Sequence, residues 1–127
     1  MAAVIHLDTH VVVWLYAGEL ERLRPCLPRL EGQQLAISPM VVLECQYLFE
    51  IGKVTVGPGV LLADLGERIG LTVSSHPFAD VTRTAVTLRW TRDPFDRLIA
   101  AQALAEGAPL VTADRTLLEH CAEAVWG

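Results

Sequence analysis

The chain has 127 residues, 52% of them hydrophobic, and a formal net charge of −5. That is one domain's length of chain with ample apolar material for a core, which excludes a disordered polypeptide. No apolar run approaches the roughly 20 residues that a membrane-spanning helix needs, and Cys26, Cys45 and Cys121 are odd in number and far apart, which excludes a disulfide framework or a thiolate zinc site.

The start, MAAVIHLD, lacks a basic segment followed by a long apolar stretch, so the expectation is no signal peptide and a cytoplasmic protein. Val4–Leu7 reads as a buried strand that ends on Asp8. Val12, Leu15 and Tyr16 then fall at helical spacing. A second strand is expected at Leu35–Ser38. Ser38-Pro39 starts a helix, with a capping hydroxyl followed by proline in the first turn. Its apolar stripe is read as Val41, Tyr47, Leu48 and Ile51, with Glu44 on the same face. Gly57-Pro58-Gly59 is the strongest break and is too short to divide domains. Leu71–Ser74 is a third strand. Asp93-Pro94 opens a helix carrying Ile99, Ala100, Ala103 and Leu104 inward, and Gly107 stands where that helix ends. Leu110–Thr112 is a fourth strand, followed by Asp114. Thr116 and Glu119 have the spacing of a capping box, and Ala124–Trp126 closes the series. Strands alternating with helices over residues 1–127 predict one α/β domain with a mostly parallel sheet of about five strands.

Most of the 15 acids sit among polar neighbours and read as solvated surface. Four do not. Asp8 and Asp114 each follow a strand. In an open parallel sheet the carboxyl ends of the strands form the ligand crevice, although each acid could equally cap the helix that follows. Glu44 falls on a face that should meet the core, where an unpaired carboxylate is costly. It either pairs with an arginine, sits at the edge of the face, or looks into an acidic crevice that holds a cation. Asp93 and Asp96 stand three apart at the head of one helix. Asp93 precedes proline and suits the cap. Asp96 is either the capping-box partner or, lying at the end of the buried face, a group that serves the crevice.

Together these acids, and the wording around them, resemble the PIN-domain nucleases, and "LDTHVVVW", "ISPMVVLE", "DPFDRLIAAQA" and "PLVTADRTL" are similar to segments of VapC-type toxins of bacterial toxin–antitoxin pairs. The likeness spans roughly residues 4 to 120. It implies a three-layer α/β/α fold and hydrolysis of RNA phosphodiesters by metal-activated water. Asp8, Asp96 and Asp114 match the family's metal-binding acids, and Glu44 matches the helix glutamate that positions the attacking water. Thr9 and Thr112 match hydroxyl positions beside the site, and Asp93 is outside the usual quartet. Residues 53–90 carry little motif and are where substrate choice is expected. The resemblance also implies a homodimer and a cognate antitoxin whose tail lies across the crevice.

Four carboxylates about 5 Å apart would repel by roughly 3 kcal/mol per pair at an effective dielectric near 20. A divalent cation resolves that repulsion, and oxygen-only ligation suits Mg²⁺ or Mn²⁺. Setting the four site acids aside takes the net charge from −5 to −1, with nine arginines left to meet phosphate. Arg89, Arg92, Arg97 and Arg115 flank the acidic segments and are the candidate phosphate contacts. A haloacid-dehalogenase-type phosphatase fails because His10 stands where its second aspartate belongs. A receiver domain fails for want of a late lysine, since Lys53 is the only one. The alternative of another class is a catalytically silent PIN-like module that binds a protein partner.

Overall fold

The computed structural model describes residues 3–127. Strands β1 (Val4–Leu7), β2 (Gln34–Ile37), β3 (Thr72–Val73), β4 (Leu110–Val111) and β5 (Ala124–Val125) form one sheet in the order β3-β2-β1-β4-β5, and every pairing is parallel. Each crossover is helical: α1 (Thr9–Ala17), α2 (Leu20–Leu23) and α3 (Leu27–Leu30) join β1 to β2. Helices α4 (Pro39–Glu50) and α5 (Pro58–Ile69) lead to β3, α6 (Phe78–Val86) and α7 (Pro94–Glu106) to β4, and α8 (Arg115–His120) to β5. The result is a three-layer α/β/α domain. Among the described residues, no helix is long and apolar enough to cross a membrane.

The five strands stand close to where the sequence puts them: β1 has the expected bounds, β2 begins and ends one residue earlier, and β3, β4 and β5 are shorter. β2 stops at Ile37 because Ser38 turns away to cap α4, its hydroxyl accepting from the Met40 amide at 3.1 Å. β3 is an edge strand held only at Ala36↔Thr72 and Ile37↔Val73. The sheet core is aliphatic: Leu7, Ile37, Leu110 and Val111 are fully buried, with Val11, Val12, Leu61, Leu65 and Ile99 packed over them. The three cysteines are free and buried.

Two local expectations change. In α4 the inward face is Val41 and Cys45, while Tyr47 and Ile51 are each 48% exposed. The stripe is rotated about the helix axis because Cys45, small and apolar, takes the deep position, and Glu44 is left half-buried on the flank. Thr116 does not cap α8. Asp114 does, its side chain accepting from the Leu117 amide at 3.0 Å, so the helix starts before Thr116. Gly107 ends α7 as expected, in the left-handed conformation at φ 65° that a side chain would disfavour.

Candidate active site

β1 and β4 are neighbours although β2 and β3 intervene in sequence, so strand order reverses between them. A parallel sheet opens a crevice at the carboxyl ends of such a pair. Asp8 leaves β1 and Asp114 follows β4, which brings both to this rim.

Asp8 is 6% exposed, and both of its oxygens are engaged. Oδ1 accepts from the Thr9 amide at 2.8 Å, and Oδ2 from the Thr112 hydroxyl at 2.6 Å. Thr112 Oγ1 also accepts from the Asp114 amide at 3.0 Å. Across the crevice the Thr9 hydroxyl donates to Glu44 Oε1 at 2.5 Å. Each fully buried threonine has one proton and gives it to a carboxylate, so the pair joins the β4 segment to β1 and α1 to α4. These hydroxyls also answer the cost of burying Glu44 and Asp8.

The two aspartates at the head of α7 divide their roles. Asp93 Oδ1 accepts from the amides of Phe95 at 2.8 Å and Asp96 at 3.2 Å, which makes Asp93 the cap. Pro94 fits the first turn, and Phe95 packs against the core with its ring 5.9 Å from that of Tyr47. Asp96 is thereby held half-buried at the helix mouth, and its carboxylate accepts no hydrogen bond among the described residues.

The electrostatics follow from this placement. Burial, reinforced by the charges of Asp93, Asp8, Asp114 and Glu44, pushes the Asp96 carboxyl from 3.8 up to about 7. Burial also raises Asp8, against the opposing pull of the Thr112 and Thr9 hydrogen bonds and the charge of His10. Glu44 is raised by burial too, against the Thr9 hydroxyl, with Asp8 adding to the rise and His10 opposing it. Asp8, Asp114 and Glu44 all act on Asp96. Among the described residues, though, no three His, Cys, Asp or Glu side chains are already gathered into a metal-holding cluster. The donor set still fits a hard divalent cation: carboxylates with hydroxyls beside them, no thiol at the rim, and in Asp96 a carboxylate with no partner of its own.

The arginines sort themselves. Arg22, Arg24, Arg68 and Arg83 pair with acids three or four residues away. Arg29 holds the Gly127 carbonyl at 2.6 Å. Arg97 donates to the carbonyls of Ala85 at 2.7 Å, Val86 at 3.2 Å and Thr91 at 3.5 Å, so its guanidinium pins the end of α6 and is not free for phosphate. Arg89, Arg92 and Arg115 are exposed and form no ion pair among the described residues.

Sequence reasoning missed a buried polar network that fixes α7. His6 Nε2 faces Glu106 Oε1 at 3.2 Å. Glu106 Oε2 accepts from Ser74 at 2.6 Å and Gln102 at 2.8 Å, and Gln102 Oε1 accepts from Ser38 at 3.3 Å. Burial works to raise Glu106, but the two hydrogen bonds and the His6 charge hold it below its ordinary value. The network locks α7 to β1, to the cap of α4 and to the segment after β3. The one available signal was Gln102 itself, a polar residue inside the apolar run "IAAQALA".

The sequence profile of the PIN domain matches residues 5–123. The chain belongs to the PIN-domain family. This PIN domain is 33% identical over 118 residues to ribonuclease VapC22 of Mycobacterium tuberculosis, a match covering 90% of this chain and 89% of that protein. Its fold matches the VapBC2 structure from Rickettsia felis bound to a promoter DNA fragment, with a TM-score of 0.66 and 23% identity, covering 98% of this chain and 97% of that one. A toxin–antitoxin complex from Klebsiella pneumoniae gives a TM-score of 0.71 at 19% identity and covers 95% of each chain. At these identities the two solved structures establish the PIN fold.

Proposed function

We propose that this PIN domain is an Mg²⁺- or Mn²⁺-dependent endoribonuclease and the toxin of a toxin–antitoxin pair. The observation that carries the reading is Asp96: a half-buried carboxylate with no hydrogen-bond partner among the described residues, pushed to about 7 by burial and four surrounding acids. A stable domain has no structural use for that arrangement, whereas a cation site does. The relationship to ribonuclease VapC22 supplies the substrate class.

In this reading Asp8, Asp96 and Asp114 hold the ion directly or through water. Bound there, the ion supplies Lewis acidity that eases deprotonation of water and stabilises charge on the phosphodiester in flight. Glu44, steadied by Thr9, accepts a hydrogen bond from the attacking water and orients it. Thr112 keeps Asp8 and the Asp114 backbone in register. Arg89, Arg92 and Arg115 contact backbone phosphates on the β4 side of the crevice.

The antitoxin is the partner, with a basic side chain entering the crevice in place of the cation. A second copy of the chain is the other partner. Leu43 and Tyr47 on α4 and Ile51 at its C-cap, spaced four apart, are 54%, 48% and 48% exposed and form an apolar stripe suited to a twofold contact. The test is RNA cleavage with and without metal. Millimolar Mg²⁺ or Mn²⁺ should raise the melting temperature and support cleavage, and EDTA should abolish it. Undiminished cleavage in EDTA would sink the proposed chemistry. A metal-stabilised protein that cleaves no RNA would favour a silent binding module.

A further inference from the structure

A cavity opens beside α1, the helix that Asp8 caps. It has a volume of about 810 Å³ and runs between α1 and the loop after α4, with His10, Trp14 and Tyr16 on one wall and Lys53 and Thr55 on the other. None of the four acids lines it, but His10, in the first turn of α1, and Leu48, one helical turn after Glu44, bring its wall towards the site. His10 lies two positions after Asp8, the cap of the same helix. From there α1 carries the wall outward at helical spacing. Trp14 is set in place: the Trp126 ring meets it edge-on at 6.1 Å, and the Arg22 guanidinium lies 5.3 Å from its centroid. Arg22 is in turn paired with Glu19 at 2.7 Å.

We propose that this cavity receives an unpaired nucleobase next to the scissile phosphate, an inference that rests on the ribonuclease reading above. Its volume is within the range of small-ligand sites, and its walls are aromatic and aliphatic with a few polar groups at the rim, which suits the face of a base. Charge placement agrees. The acid rim repels phosphate, so a strand crossing it needs cations on both sides. Arg115 follows β4 on one side, and Lys53 follows α4 on the other. Lys53 is exposed and forms no ion pair among the described residues. A duplex keeps its bases stacked inside, so the cavity selects single-stranded RNA. Thr55 and Val56 at the outer wall then bear on which base is accepted.

The test reads contact and not cleavage. Asp96→Asn protein is irradiated with a single-stranded oligoribonucleotide carrying 4-thiouridine, and the adducts are mapped by mass spectrometry. They should fall on residues 10–16 and 53–56, and a duplex of the same sequence should give none there. Thr55→Tyr, which fills the cavity from an exposed position, should remove these adducts and weaken binding on the order of ten-fold. Lys53→Ala should lower the salt dependence of binding by about one phosphate contact. Adducts confined to the Arg89–Arg92 and Arg115 side, or unchanged affinity in Thr55→Tyr, would overturn the proposal. So would a Thr55→Tyr protein that binds RNA normally but no longer binds its antitoxin, since the cavity would then be a protein-docking surface. A wild-type chain that cleaves no RNA would defeat the ribonuclease reading alone, because the adduct map is read without cleavage.

Discussion

Replacing Asp96 with asparagine should make the metal-free protein more stable at pH 8 and leave it unchanged at pH 4. The Asp96 carboxyl is raised from 3.8 to about 7 in the folded chain. A raised folded value means that the native state holds the proton more tightly than the unfolded chain does. The associated stability is full below about pH 4 and is lost as pH rises through about 7. A shift of that size corresponds to about 4 kcal/mol for a fully buried group. Asp96 is only half-buried, and water, salt and the positive N-terminal end of α7 all screen it, which brings the effect to about 1–2 kcal/mol. Asp8 and Glu44 are raised as well, so the titration belongs to the cluster and spreads over the window from about pH 4 to pH 7. Urea denaturation in EDTA at pH 4, 6 and 8 measures the difference directly. Excess Mg²⁺ should reverse the order at pH 8. Metal at a hundred times its Kd stabilises a binding-competent chain by about 2.7 kcal/mol, and the asparagine variant gains far less. An Asp96→Asn protein that is equally or less stable than wild type at pH 8 in EDTA refutes the reasoning, because the carboxylate would then be satisfied in a way its surroundings do not account for.

Asp93→Ala should cost about 1 kcal/mol, the usual loss for a helix cap, and keep most RNA cleavage. A stable but dead Asp93→Ala beside an active Asp96→Ala would reverse their roles. Thr112→Val leaves Asp8 Oδ2 and the Asp114 amide without a partner, so it should lose about 1–3 kcal/mol in a denaturant melt and reduce cleavage, and Thr112→Ser should restore both. Light scattering should give about twice the 13.9 kDa chain mass, and Tyr47→Glu on the exposed α4 stripe should return it to one. A wild-type chain that is strictly monomeric at high micromolar concentration would contradict the dimer.

Much of the architecture was legible because it is written in local signals. Short apolar runs mark the strands, Ser38-Pro39 and Asp93-Pro94 mark two helix starts, and Gly107 marks an end. The acids were legible as a set because each stands at an element boundary or on a helix face where a charge needs a reason. What local pattern does not contain is the rotation of a helix about its own axis. Cys45 takes the deep position in α4, and no period in the sequence separates that from Glu44 and Tyr47 facing inward. The fate of Arg97 was hidden for a related reason. Its partners are backbone carbonyls at the end of another helix, and carbonyls leave no trace in composition. The His6–Glu106 network joins residues a hundred positions apart, where only the fold can bring them together.

The hydrogen bond from Thr112 to Asp8 spans 104 residues, and the two strands it joins lie side by side with β2 and β3 made in between. Closing so long a loop is slow compared with forming the helices and the β1–β2 pair. The crevice has both its walls only once that contact is closed. A chain that has collapsed around β1, β2 and β3 owns Asp8 and Glu44 but no second wall to its crevice. Folding intermediates of this kind should be catalytically inert, and so should chains whose β4–α8–β5 segment has locally come away.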